Sequence, residues 1–185
     1  MPTPRASSVP AGEVHTAILF AVGAFQFVID AGVIDEIRGL GGLERISWPR
    51  PQAGLDKVTH VLHRGARPHF VVDGGTYFRI PDAHPSRILL LRGIEVGLLV
   101  DGVDRMVEYG SVFRLPQAFT GEECSWYLGL TFLQKRVIPV VHPGAFVTRS
   151  ELAILRDASQ HRQLEATSAS SREHFMDEGR GGEPF

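Results

Sequence analysis

Short stretches in which apolar and polar residues alternate recur along most of this chain. Such alternation is what a strand shows when one face is buried and the other meets water. The 20 glycines and 12 prolines fall between these stretches rather than in one block. The pattern therefore predicts a mainly β protein. The predicted strands cover residues 16–22, 25–29, 43–48, 57–63, 69–73, 88–91, 95–100, 103–109, 126–133 and 136–141.

Two segments have helical spacing instead. In AGVIDEIRGL (31–40), apolar residues recur at three- and four-residue intervals, which predicts a helix of about two turns with Asp30 as its cap. From Pro143 the apolar positions again follow a helical period, and we expect a terminal helix through about Leu164. The stretch GGTYFRIPDAHPS (74–86) is expected to be a loop around at most a short strand.

Composition narrows the classes of function. Apolar residues make up 43% of the chain and charged residues 22%, with a net charge of -2, so no basic surface for nucleic acid is indicated. The apolar runs are too short to insert into a membrane. A single cysteine, Cys124, fits a reducing cytoplasm. We expect a leader over residues 1–13 and a tail over 165–185, both disordered, around one domain at 14–164.

Asp101 and Asp104, in EVGLLVDGVDRMVEY, are the first candidate for chemistry. A calcium loop counted from Asp101 would need oxygen ligands where Val103 and Arg105 stand. An acid/base dyad needs a shared pocket, but residues three apart in an extended chain point to opposite faces. The spacing therefore favours a strand that bends at Asp101, with its carboxylate accepting hydrogen bonds from local backbone N–H groups.

The other reactive side chains give no stronger signal. His60, His63 and His69 lie close in sequence, but His60 and His63 face opposite ways on a strand, which disfavours a zinc site. Cys124 follows two glutamates, whose charge opposes a reactive thiolate. No nucleophile elbow, phosphate loop or dinucleotide motif occurs. We expect no catalytic residue, no metal and no cofactor, and the sequence favours a binding or scaffolding module.

Read in order, several stretches resemble the CheW-like domain, the adaptor of bacterial chemosensory arrays. They are ILFAVGAFQFVID, VIDEIRGL, HRG before HFVVD, ILLLRGIEVGLLVDGVDRMVEY and WYLGLTFLQKRVIPVV with a terminal helix. The resemblance spans roughly residues 16–155. It departs from the family pattern mainly in the Thr59–Asp73 segment, where Leu62-His63 precedes Arg64-Gly65 in place of Asn-Leu.

The resemblance implies two packed, SH3-like, five-stranded β-barrels with a short helix after the first hairpin and a C-terminal helix. It implies no catalysis. Its partners would be the regulatory domain of a CheA-type histidine kinase and the tip of a methyl-accepting chemoreceptor, whose helix would lie in an apolar groove between the barrels. Residues expected at or beside the partner interface are Ile34, Glu36, Ile37, Arg38, Arg64, Gly65, Val96 and Gly97.

Alternatives remain open at this stage. Ile34, Ile37, Val96 and Gly97 also suit core packing, and Glu36 suits a solvated face. The altered Thr59–Asp73 segment also fits a CheW-like module used outside chemotaxis. The histidine cluster and the Asp101–Asp104 pair are the only motives for a third reading, a β-barrel that binds a small ligand or an enzyme.

Overall fold

The computed structural model describes residues 14–46, 54–65, 67–117 and 119–160, and it contains eleven strands arranged in two sheets. The expected leader and tail lie outside these residues. In chain order the strands are β1 (His15–Val22), β2 (Phe25–Asp30), β3 (Ile34–Arg38), β4 (Leu43–Arg45), β5 (Val58–Arg64), β6 (Arg67–Asp73), β7 (Arg87–Leu91), β8 (Val96–Val100), β9 (Gly102–Tyr109), β10 (Tyr127–Leu133) and β11 (Arg136–Val141).

The first sheet has the strand order β10-β11-β2-β1-β9. Its β1–β2 hairpin turns at Gly23, where φ is +54°, a conformation that glycine adopts without strain. Alternate residues of β1 are buried on both faces. Leu19 belongs to the apolar cluster on one face of the sheet, and Phe20 stacks on Phe27 on the other. After β9, Phe113 forms a two-bond bridge to Leu130 of β10, which links the two edges of the sheet.

The second sheet has the order β3-β7-β8-β6-β5-β4, one strand more than the five expected, because residues 34–38 form the strand β3 where a helix is predicted. Within it β8 runs parallel to β6, and all five of its residues are buried. A continuous apolar run of this kind is typical of a strand covered on both faces. The mainly β fold with two packed subdomains, predicted from alternation and from the resemblance, is therefore confirmed.

The predicted helix at 31–40 is much shorter than expected. Asp30 does cap it, since its Oδ1 accepts from the backbone N–H of Gly32 at 2.7 Å, but the 3₁₀ helix ends after Ala31–Val33. Residues 34–38 form β3, which pairs with β7 from Ile34 to Arg38. Pairing with a neighbouring strand has overridden the helical spacing, as tertiary context commonly does.

The expected loop at 74–86 begins with a helix, α1 (Gly74–Phe78). Asp73 caps it, accepting at Oδ1 from the backbone N–H of Thr76 at 2.7 Å. The helix was not predicted because it begins with two glycines, which disfavour helices. Gly74 is required by packing, because a Cβ there would overlap the carbonyl oxygen of Leu99. The aromatic rings of α1 then pack on the first sheet, where Phe78 stacks on Phe27 with centroids 4.5 Å apart.

Contacts divide the chain after Val147 into two compact units, of which the first holds all the described strands. A second 3₁₀ helix spans Glu122–Ser125, and a third spans Pro143–Ala145. The described part of the second unit is a helix over residues 149–160. It begins later than the Pro143 start predicted above, because Thr148 and Glu151 form a reciprocal capping box, with bonds of 2.7 and 3.2 Å.

Candidate functional site

The residues predicted at a partner interface divide between the surface and the core. Arg64 and Gly65 lie at the end of β5, and Glu36, Ile37 and Arg38 lie on the edge strand β3, not on a helix as expected. These positions are exposed or half-buried, and Ile37 is 41% exposed. Five of the predicted residues thus meet at one end and one edge of the second sheet.

The remaining three predicted residues are core positions. Ile34 is 6% exposed and Val96 is 1% exposed. Gly97 lies in the middle of the sheet, where an added Cβ would come within 3.0 Å of Leu90 and 3.1 Å of Ile88. Their burial favours the core packing that the sequence left open for them, and a role at the partner interface stays a prediction. Gly97 is glycine because its neighbours leave no room for a side chain.

Arg64 is held by two acids of β3. Its Nη1 donates to Asp35 Oδ2 at 2.9 Å, and its Nη2 lies 3.2 Å from Glu36 Oε2. β3 and β5 are not neighbours in the sheet, so these ion pairs connect the edge strand to the end of β5. The hydrogen bond from Arg64 lowers the pKa of Asp35, and the same bond raises the pKa of Arg64. A fixed guanidinium of this kind still offers its remaining N–H groups to a partner.

A shallow hollow of about 410 Å³ adjoins Arg64. Charged side chains of both signs surround it, and Ile94, 38% exposed, adds an apolar contact. Burial lowers the pKa of His69 at its base, so this histidine stays neutral near pH 7. We call this region, with the exposed residues of β3, the Arg64 surface. Its members are Asp35, Glu36, Ile37, Arg38, Arg64, Gly65, Arg67, Ile94 and Glu95.

A separate apolar groove, of about 1120 Å³, lies between the first sheet and the segment that follows α1. One wall is formed by β2 and β11, and the parallel pairing of Val140 with Val28 brings Val137 alongside Phe25. Phe25 is 59% exposed and Val137 is 52% exposed. The opposite wall is Phe78 to Pro81. We call this feature the apolar groove.

None of the predicted interface residues lines the apolar groove. Its walls come from four distant parts of the chain, near residues 25, 80, 127 and 137. Local sequence patterns cannot show that these four parts of the chain meet in the folded protein. The available signal was weak: Phe25 and Val137 are large apolar residues at the start of strands whose other apolar residues are buried.

Asp101 has a structural role and is not half of an acid pair. We call its carboxylate, with the two backbone groups bound to it, the clasp. Its Oδ2 accepts from the backbone N–H groups of Gly23 and His84, each at 2.9 Å. The predicted role in accepting backbone hydrogen bonds is confirmed, but the donors are remote rather than local. Gly23 belongs to the β1–β2 turn and His84 to the loop before β7, so one oxygen ties the two sheets together. Asp104 lies exposed on β9.

The histidine cluster does not converge. His63 approaches Glu44 at 3.9 Å, whereas His60 contacts the hydroxyl of Thr59 and His69 is buried. Within the described ranges, no group of three or more His, Cys, Asp or Glu side chains could hold a metal ion. Cys124 donates from Sγ to the carbonyl of Phe119. In the same described part of the chain, no helix is long and apolar enough to cross a bilayer.

Comparison with known proteins identifies the class of fold. No family model and no curated protein matches the sequence. Among solved structures, the chain is similar to the scaffolding protein TtCheW from Thermoanaerobacter tengcongensis, with a TM-score of 0.63 and 16% sequence identity. The match covers 80% of this chain and 96% of that chain. The protein therefore has a CheW-like fold.

Proposed function

We propose that this protein is a non-catalytic adaptor of a bacterial chemosensory system. The observation that carries the proposal is the likeness to a scaffolding protein over 96% of that protein's length. It agrees with the order of sequence motifs and with the lack of a catalytic or metal-binding motif in the sequence. In this role the protein works in the cytoplasm and couples chemoreceptors to a CheA-type histidine kinase.

Two surfaces serve this role in the proposal. The apolar groove takes the helix of a receptor tip, because exposed Phe25 and Val137 offer anchors for an apolar helix face. The Arg64 surface is the second contact. The resemblance associates its segment with the receptor tip, and its position at the end of the second sheet also suits the kinase's regulatory domain.

A titration of each partner separately tests the proposal. The purified protein is titrated with the CheA-type regulatory domain and with a receptor-tip fragment from the same organism, using isothermal titration calorimetry. We expect both to bind with dissociation constants of about 10 µM or tighter. Arg64→Glu should weaken the partner that contacts the Arg64 surface, whereas Val137→Asp should weaken the partner in the groove. If neither partner binds at concentrations of about 100 µM, the adaptor role is wrong.

The sequence also allowed a CheW-like module used outside chemotaxis. The specific observation behind it is the altered Thr59–Asp73 segment, which supplies Arg64, Gly65 and Arg67 of the Arg64 surface. The same titration separates the two roles. Binding of a CheA-type kinase without binding of any receptor tip from the organism would favour the second role.

A further inference from the structure

The apolar groove carries charge of one sign only. Its lining includes two charged residues, Arg79 and Arg136, and no carboxylate. Arg79 lies on the wall that follows α1, and Arg136 is the first residue of β11 on the opposite side. An occupant whose apolar side chains fill the groove would therefore meet one arginine residue on each wall.

Both arginines are placed by left-handed backbone. Arg79 ends α1 at φ 58°, a position where glycine or asparagine is usual and an arginine is strained. Arg136 follows Gln134 and Lys135, whose φ values of 48° and 67° form the tight turn between β10 and β11. Of the two arginines, Arg79 itself has the left-handed conformation, whereas Arg136 follows the turn.

The present partners of these arginines are exchangeable. Arg79 lies 5.5 Å above the ring of Trp126 and 3.1 Å from Glu122, and the two charged side chains are 68% and 81% exposed. Exposed ion pairs of this kind contribute little. Among the residues that the structure describes, Arg136 has a long contact, 3.5 Å, to the amide oxygen of Gln26. A carboxylate brought in with an apolar segment would be shielded from water and would bind these cations more strongly than Glu122 does.

We infer that the apolar groove selects an amphipathic helix whose apolar face is flanked by glutamate or aspartate on both sides. The inference rests on the proposed use of the groove and adds the chemistry of the partner. Arg79 and Arg136 are then the residues that determine specificity. The apolar anchors supply contact area, and the two arginines reject segments with basic flanks, because like charges across an interface oppose binding.

Two synthetic peptides of about 20 residues, long enough to form a helix, test the inference. They share one apolar face and differ only in their flanking residues, glutamate in one and lysine in the other. Binding to the full chain is measured by fluorescence anisotropy at low and high salt. We expect the glutamate peptide to bind about tenfold or more tightly, with a preference that shrinks as salt rises.

The double variant Arg79→Glu/Arg136→Glu should remove or reverse this preference. The control Arg87→Glu/Arg114→Glu makes the same change in net charge at exposed positions outside the groove lining, and it should keep the preference. Circular dichroism verifies folding. If the charge-reversed protein is unfolded, Arg136→Gln replaces it, and that variant should lose part of the preference.

The outcomes distinguish a failure of this inference from a failure of the proposal that the apolar groove docks a helix. Equal affinity for the two peptides, with both lost in Val137→Asp, would leave the groove as a docking site and overturn the role of the arginines. Binding of both peptides that survives Val137→Asp, or no binding of either peptide to the wild-type protein, would overturn both. A preference for glutamate that persists in the charge-reversed variant would also remove Arg79 and Arg136 from the recognition.

Discussion

Asp101→Ala should destabilise the protein because it removes the clasp between the two sheets. The substitution leaves the main-chain bonds of residue 101 in place, including its N–H bond to the carbonyl of Ala21 at 2.9 Å. It deletes only the carboxylate that accepts from Gly23 and His84. Any loss of stability therefore reports on these two side-chain bonds.

The magnitude follows from where the two donors lie. The bond to Gly23 is partly buried, and losing a hydrogen bond to a charged acceptor there costs about 1.5–3 kcal/mol. The bond to His84 is exposed, so water can replace the carboxylate and the loss is about 0.5–1 kcal/mol. We expect a total of about 2–4 kcal/mol for Asp101→Ala.

Asp101→Asn tests how much of this stability depends on the negative charge of the Asp101 carboxylate. Both donors bind the same oxygen, Oδ2, so an asparagine oxygen in that place keeps both bonds but loses their assistance by charge. The asparagine NH2 group would also replace Oδ1, which is buried without a hydrogen-bond partner. We expect the substitution to cost about 1–2 kcal/mol, less than Asp101→Ala. Asp104→Ala is the matched control, because its exposed side chain should change stability by less than about 0.5 kcal/mol.

Urea unfolding at pH 7, followed by circular dichroism, measures all three variants. The expected order of stability is wild type and Asp104→Ala, then Asp101→Asn, then Asp101→Ala. If Asp101→Ala unfolds within about 0.5 kcal/mol of Asp104→Ala, the clasp does not hold the sheets together and the reasoning is refuted.

Three further predictions concern other positions. Arg64→Glu should weaken binding of one partner in the titrations above while unfolding as one cooperative transition, and unchanged affinity for both partners would remove Arg64 from the interface. Burial lowers the folded-state pKa of His69, so its contribution to the free energy of unfolding should be full above pH 6.5 and fall as the pH drops below that value. Urea unfolding of His69→Gln should therefore show a free energy of unfolding that depends less steeply on pH. An unchanged pH dependence would contradict this. Urea unfolding should show that Gly74→Ala lowers the free energy of unfolding by about 1–3 kcal/mol. Gly41→Ala is the control and should lower it hardly at all, because nothing lies near an added Cβ there. Equal losses in the two variants would refute the packing argument.

Alternation predicted the strands well because each strand buries one face or both. The first hairpin, with its turn at Gly23, and the last hairpin, with its turn at Gln134-Lys135, were found at the expected places. The segment 34–38 was misread because Ile34 and Ile37 are spaced as on a helix. Its strand conformation comes from pairing with β7, a neighbour 50 to 57 residues away in the chain, which local spacing cannot reveal.

The candidate site was predictable only in part. Arg64 and the residues of β3 meet at one surface, although Asp35 was not singled out as a partner of Arg64, and binding of a partner there stays a prediction. The residues of the apolar groove were not predicted. Phe25 and Val137 become neighbours only through the parallel pairing of β2 with β11, and Arg79 reaches the groove only because α1 forms.

The adaptor claim is tested most directly by titrating the full chain with the regulatory domain of the CheA-type kinase from the same organism. The account predicts saturable binding, with one kinase domain per chain and a dissociation constant of about 10 µM or tighter. No heat of binding by calorimetry and no complex by sedimentation, at about 100 µM of each protein, would contradict it.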